Sequence, residues 1–384
     1  MSLSFIELFS GAGGMSLGLK NAGLESVGAV EADRFAAETY RSNFPNVNFF
    51  ESDIRSFSAG KVKAEFSGVD LIAAGPPCQG FSVAGPSQYG KIDERNFLIF
   101  EVLRFLKLLS PKMFIVENVK GILSGKLTKE KLALNEFVSS AKSLGYFIEY
   151  HVLQAADFGA PQWRERVFII GSRDKAMLPV FDKSGLKRST GRWTSVGQAI
   201  SDLPILRSGE AWKDGEKNPL CAKSNYQTLM RKDSTGLFNH ITMNHTKRLV
   251  ERFKMIPQGG SLVDVPAEHG QRTRNGHGLD VKKRFKMNNQ RLDPAKVSTA
   301  ITASFQSNFV HPDFDRNLTA REGARIQTFP DNFIFHGPRT LMSKNLLIRE
   351  GREDEIGLSQ YNQIGNAVPP LLAQGVGEAI LDSK

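Results

Sequence analysis

The chain has 384 residues, of which 40% are hydrophobic and 23% charged, and only two cysteines. That length allows two or three domains with a sizeable core, while two thiols and no Cys-x-x-Cys exclude a disulfide scaffold or a four-thiolate zinc site, so no metal is expected. No apolar stretch approaches the roughly 20 residues of a membrane span, and Met1-Ser-Leu-Ser-Phe-Ile lacks the regions of a signal peptide, so a cytoplasmic protein with no membrane partner is expected.

In chain order, apolar runs alternate with helical patterns. Strands are predicted over 4–9, 26–31, 47–50, 69–75 and 113–118, with helices over 15–22, 35–44, 98–109 and 130–144. The alternation predicts an α/β fold, a mostly parallel sheet covered by helices on both faces. Segments 146–154 and 167–171 then follow with too little chain between them for a helical crossover, so they should form an antiparallel edge hairpin. Seven strands with the last reversed is the layout of the S-adenosylmethionine-dependent methyltransferase sheet, although the pattern alone admits other doubly wound folds. Beyond about residue 172 periodicity weakens, and Gly, Pro, Asn, Lys and Arg become common, as in a smaller, loop-rich domain. A helix around 319–328 and an apolar helix over 370–381 close the chain.

The net charge of +10 is uneven. Residues 172–295 hold 23 Lys and Arg against 12 Asp and Glu, and the rest of the chain 27 against 28. A polyanion is the economical partner for such a segment, since each phosphate neutralised releases counterions. A solvated basic surface is the plainer alternative.

Candidate chemistry lies at strand ends. Phe9-Ser-Gly-Ala-Gly-Gly14 leaves the first strand and enters a helix, where Phe9, Gly11, Gly13 and Gly14 would let a cofactor approach the backbone. Ser16 stands where a dinucleotide fingerprint needs its third glycine, and no phosphate-loop Lys-Ser follows. Glu31, ending the second strand, could accept from ribose hydroxyls, and Asp53, after the third, from an adenine amino group. Together they suggest an adenosine-bearing cofactor without a required pyrophosphate.

Gly75-Pro-Pro-Cys-Gln-Gly-Phe-Ser82 puts Cys78 in a rigid turn after the fourth strand, and Glu117 ends the fifth. A free cysteine can be a small buried hydrophobe, but a thiolate beside a proton-donating carboxyl suits addition to an electron-poor ring. Arg164 and Arg166, two apart at the start of the seventh strand, share one face and could clamp an anion. Cys221 is expected to be structural.

The ordered set of these motifs with Gln162-x-Arg-x-Arg166, Arg316-x-Leu-Thr-x-Arg-Glu-x-Ala-Arg325, Ile326-Gln-x-Phe-Pro330 and Gln363-Ile-Gly-Asn-Ala-Val-Pro-Pro370 resembles the DNA cytosine-5 methyltransferases, of the bacterial or phage modification type. The resemblance spans almost the whole chain. It implies a Rossmann-like seven-stranded sheet with a reversed edge strand, formed by residues 1–190 and 356–384, and a target-recognition domain over 191–355. It implies that Phe9, Gly11, Gly13, Gly14, Glu31, Asp53 and Pro77, joined by Asn366 and Val368 from the C-terminus, hold S-adenosyl-L-methionine. Cys78 would then add to carbon 6 of a cytosine flipped out of double-stranded DNA while Glu117 hydrogen-bonds or protonates nitrogen 3, Arg164 helps hold the arrangement and Arg166 supports it. The implied partners are duplex DNA and, acting separately, a cognate restriction endonuclease; the implied state is a monomer associated with the nucleoid.

Residues 341–360 stand out, with Glu350-Gly-Arg-Glu-Asp-Glu355, as a surface insertion expected to point away from DNA. The nearest rival is a transfer RNA cytosine-5 methyltransferase, against which stand Gly80-Phe81-Ser82 and the long basic segment. A zinc deaminase would need a second cysteine where Phe81 stands. A catalytically dead DNA-binding relative is disfavoured because every chemical residue is present.

Overall fold

The computed structural model describes residues 2–77, 97–126, 131–181, 193–271, 285–340 and 343–383. By internal contact the chain forms two compact units: Met1–Gly159, Arg164–Gly191 and Ala367–Lys384 make the first, and Ala160–Trp163 with Arg192–Asn366 the second. Residues 356–366, expected with the cofactor-binding part, fall in the second unit.

In the first unit the elements run β1 (Ser4–Leu8), α1 (Gly14–Ala22), β2 (Glu25–Glu31), α2 (Arg34–Asn43), β3 (Asn48–Glu51), α3 (Ala59–Phe66), β4 (Leu71–Ala74), α4 (Ile99–Leu109), β5 (Met113–Asn118), α5 (Ala133–Ser143) and β6 (Phe147–Gln154). The short β7 (Gln162–Trp163) belongs to the second unit, and β8 (Glu165–Ser172) returns to the first. The sheet order is β3-β2-β1-β4-β5-β8-β6, parallel except where β8 runs against both β5 and β6. The reversed strand is thus the inner member of the edge hairpin. Strands β4 and β5 are buried on both faces, which is why they read as unbroken apolar runs.

Helix ends explain the boundaries. Asp33 caps α2 by accepting from the N–H groups of Phe35 and Ala36. Helix α3 escaped the sequence pattern because only Val62 and Phe66 of its eight residues are buried. Pro370 opens the last helix, α13 (Pro370–Asp382), at a position where its missing N–H costs nothing. That helix packs backbone-close on α1: a Cβ on Gly18 would lie 2.3 Å from the Pro370 carbonyl, and one on Gly377 2.7 Å from Ala22 Cβ.

The second unit contains α6 (Val196–Ile200), α7 (Asn225–Arg231), α8 (Lys247–Lys254), β9 (Gln290–Arg291), β10 (Ser298–Thr299), α9 (Phe305–Asn308), β11 (Phe309–Val310), α10 (Ala320–Ile326), α11 (Lys344–Arg349) and α12 (Gln360–Asn366). Elements this short leave many carbonyls without a ladder partner, and buried arginines supply the donors. Arg321 donates to the carbonyls of Phe238, Pro330 and Phe333, and Arg291 to those of Phe253, Ile256 and His311. Arg316 is paired with Glu322 at 2.7 Å, and Arg325 lies between Asp202 and Asp331, all buried. In the 341–360 insertion, Arg352 binds Glu350 and Glu355, so the acidic cluster closes on its own cation. Cys221, expected to be structural, is exposed.

Candidate active site

The glycine turn follows β1. Phe9, Gly11 and Gly13 have φ of 57°, 52° and 92°, so this stretch runs through left-handed backbone, which is costly for Phe9. A Cβ on Gly13 would meet the Phe44 ring at 2.4 Å and Tyr40 at 2.9 Å, whereas one on Gly11 would meet nothing within 4 Å. Gly13 is therefore required by packing, and Gly11 keeps open space above the turn. Helix α1 begins at Gly14 with no side-chain cap at its N-terminus. Among the described residues, Ser10 Oγ is buried in this turn with no hydrogen-bond partner.

Two carboxylates grip the turn. Glu31, at the end of β2, accepts from the N–H of Gly11 through one oxygen, and from those of Ala32 and Asp33 through the other, each at 2.8 Å. Burial pushes its carboxyl up, opposed by those three donors. Glu7, inside β1, accepts from the N–H of Ser16 at 2.9 Å and from the Ser16 hydroxyl, which also meets the Tyr40 hydroxyl at 2.8 Å. Glu7 is buried, and burial pushes its carboxyl up to about 8, with Glu31 and Glu117 close enough to add to the rise. Its place in an apolar strand disguised it in the sequence; a carboxyl in a buried run was the available signal.

Asp53 caps the turn after β3 and is held by Arg55, whose backbone N–H and guanidinium donate to both carboxylate oxygens. Those bonds keep its carboxyl below the usual range.

Strands β4 and β5 bring the remaining groups together. Gly75 follows β4, and a Cβ there would lie 3.8 Å from both Glu117 Oε2 and the Phe9 carbonyl, so turn and carboxyl meet at one strand end. Asn118 Nδ2 donates to the Pro76 carbonyl at 3.2 Å, fixing the backbone that leads through Pro77 toward Cys78. Cys78 itself lies outside the described residues.

Glu117 is 8% exposed, and Arg166 Nε donates to its Oε1 at 2.9 Å. Burial pushes this carboxyl up, and Arg166 and Arg164 pull against it. The direct partner of Glu117 is thus Arg166. Arg164 is 2% exposed and donates to the Ala367 carbonyl at 3.1 Å, while its own N–H donates to the Gln154 side chain. Arg164 therefore ties the returning C-terminal segment, with buried Val368 next along it, to the first unit. Asn366 is exposed at the end of α12 and belongs to the second unit.

A family model described as C-5 cytosine-specific DNA methylase matches residues 3–382. The Type II methyltransferase M.DdeI of Desulfomicrobium norvegicum is 44% identical, covering 98% of this chain and 88% of its own. M1.HphI of Haemophilus parahaemolyticus, another Type II methyltransferase, is 34% identical over 99% and 87%. Among solved structures, a candidate DNA modification methyltransferase encoded within an E. coli prophage superposes with a TM-score of 0.73 at 25% identity, covering 99% of both chains. The S. pombe Dnmt2 methyltransferase shares the fold at a TM-score of 0.61 and 17% identity, each chain covered to 99%.

Proposed function

The chain belongs to the C-5 cytosine-specific DNA methylase family and is a type II DNA (cytosine-5-)-methyltransferase, and from that premise we propose how its own residues carry out the transfer. The proposed methyl donor is S-adenosyl-L-methionine. Its fit rests on the open space over Gly11, the orphaned Ser10 hydroxyl and the nearness of the Glu31 and Glu117 carboxyls to Glu7, a gathering of acidic groups that suits a cationic ligand. When bound it supplies the methyl group from a positively charged sulfur.

Phe9, Gly11, Gly13, Gly14, Glu31, Asp53, Pro77, Asn366 and Val368 form the proposed cofactor site. The Cys78 thiolate adds to carbon 6 of the target cytosine, and Glu117 donates a proton to nitrogen 3, so that carbon 5 becomes nucleophilic and takes the methyl group. The carbon 5 proton then leaves to water, the electrons of that bond expel the thiolate, and nitrogen 3 returns its proton to Glu117. Arg166 orients Glu117, and Arg164 holds the C-terminal segment against the first unit. Burial keeps a larger share of Glu117 protonated at neutral pH than an exposed carboxyl would have, which suits a donor. Residues 191–355 serve as the target-recognition domain, presenting exposed Lys213, Lys217, Lys223, Lys232, Lys247 and Lys286 to phosphates. The working form is proposed to be a monomer, paired in the cell with a separate endonuclease of the same target.

The observation that carries this reading is the meeting of glycine turn, buried Glu117 and the strand end that leads to Cys78. Transfer of labelled methyl groups to duplex DNA and to transfer RNA tests the substrate, and incorporation into RNA alone would reverse the choice. A duplex carrying 5-fluorocytosine should trap the parent covalently, because fluorine cannot leave as the proton does, and should not trap Cys78→Ala. A Cys78→Ala variant that methylates as fast as the parent sinks the mechanism.

A further inference from the structure

Between β3 and α3 the chain makes a tight turn, with Asp53 at its head, Ile54 and Ser56 in one short 3-10 turn, and Phe57 at its end. The turn's internal bonds are local: Ser56 Oγ donates to the Asp53 carbonyl at 2.7 Å and meets Ser52 Oγ at 2.8 Å. A guanidinium from a neighbouring helix, that of Arg104 of α4, reaches the turn. Arg104 Nη2 donates to the Ile54 carbonyl and Nη1 to the Phe57 carbonyl, each at 2.8 Å. Glu101, one turn earlier on α4, fixes the guanidinium by accepting from Nε at 2.7 Å. One planar group thus spans both ends of the turn, in the two-pronged geometry that arginine alone offers.

We propose that Arg104 is a positioning residue for the methyl donor: it clamps the 54–57 turn and so sets where Asp53 stands. This rests on the reading of Asp53 as a cofactor contact. The clamp acts at a distance, since Arg104 touches the turn and not the carboxylate. A methionine there keeps the length of the stem and removes both prongs, taking that donor from the Phe57 carbonyl and leaving the Ile54 carbonyl with only the Phe57 N–H at 3.3 Å.

Calorimetric titration with S-adenosylhomocysteine, the demethylated product, reads the clamp without turnover. Arg104→Met should weaken binding roughly tenfold, raise KM for the methyl donor to match, and leave kcat at saturating donor within about twofold. Asp53→Asn should also weaken binding, and the double variant should bind no worse than Asp53→Asn alone, because both act through one contact. Arg104→Lys, which retains a cation for one carbonyl, should fall between parent and Arg104→Met, and it decides the matter if the methionine variant fails to fold. Binding unchanged in Arg104→Met, or losses that simply add in the double variant, would overturn the clamp. A parent that binds no S-adenosylhomocysteine overturns the cofactor reading itself, and the clamp falls with it.

Discussion

Glu7→Gln separates a neutral from an ionised carboxyl under the glycine turn. Glu7 is 2% exposed, and its acceptor oxygen serves the N–H and hydroxyl of Ser16, both of which glutamine can still serve with its carbonyl. Burial holds the carboxyl up at about 8 against an ordinary 4.5. Between those pH values the folded protein keeps a proton that the unfolded chain releases, so stability must fall as pH rises from 4.5 through 8 and level off beyond. The full gap corresponds to about 5 kcal/mol as a ceiling, and relaxation of the site should leave on the order of 2–4 kcal/mol. Urea unfolding of parent and Glu7→Gln from pH 5 to 9 measures it: the variant should gain on the parent steadily up to pH 8 and run parallel above. A stability difference that stays constant across that range means Glu7 is ionised in the fold, which would refute the reasoning.

Three other perturbations follow from the same geometry. Replacing Arg166 with Met removes the first of the two cations that oppose burial at Glu117, so the carboxyl should rise further; kcat should drop, and its high-pH limb should move to higher pH in a pH–rate profile, not lower. Gly13→Ala places a methyl 2.4 Å from the Phe44 ring on backbone with φ 92°, a cost of about 1–3 kcal/mol in urea unfolding, with S-adenosylhomocysteine affinity lost alongside; a variant as stable as the parent would mean that α2 shifts freely. Arg325→Met strands Asp331 in the core and leaves Asp202 only its second partner, Arg231, and breaking such a buried pair costs about 3–5 kcal/mol, read by calorimetry as a large fall in Tm.

What the sequence disclosed, and what it hid, divides by the range of the forces involved. Strands β1, β4 and β5 are apolar because both faces are covered, and that signal survives in the sequence alone. The reversal of β8 followed from the short link after β6, a matter of chain length. Helix α3 was invisible because two apolar contacts suffice to seat it. Arg104 donates to carbonyls 47 and 50 residues away, Asn118 to one 42 away, and Glu7 accepts from an N–H 9 away, and no local pattern encodes such partners.

The basic segment shows the same limit from the other side. Its charge excess was legible, but the use of each charge was not: Arg252 is buried against the carbonyls of His269 and Gly270, Arg231 pairs with Asp202, and Arg291 is buried with Asp315 as its ion partner. These arginines hold a unit that is poor in secondary structure. Lysines, whose long stems and strongly hydrated heads favour the surface, are most of the basic charges left exposed among the described residues of the segment, with Arg173 and Arg207 beside them. Replacing the exposed Lys213, Lys217 and Lys247 with Gln should therefore flatten the salt dependence of DNA affinity by roughly one counterion each, whereas replacing the buried arginines should lower stability first. Counting basic residues predicts one behaviour for both groups; their burial predicts two.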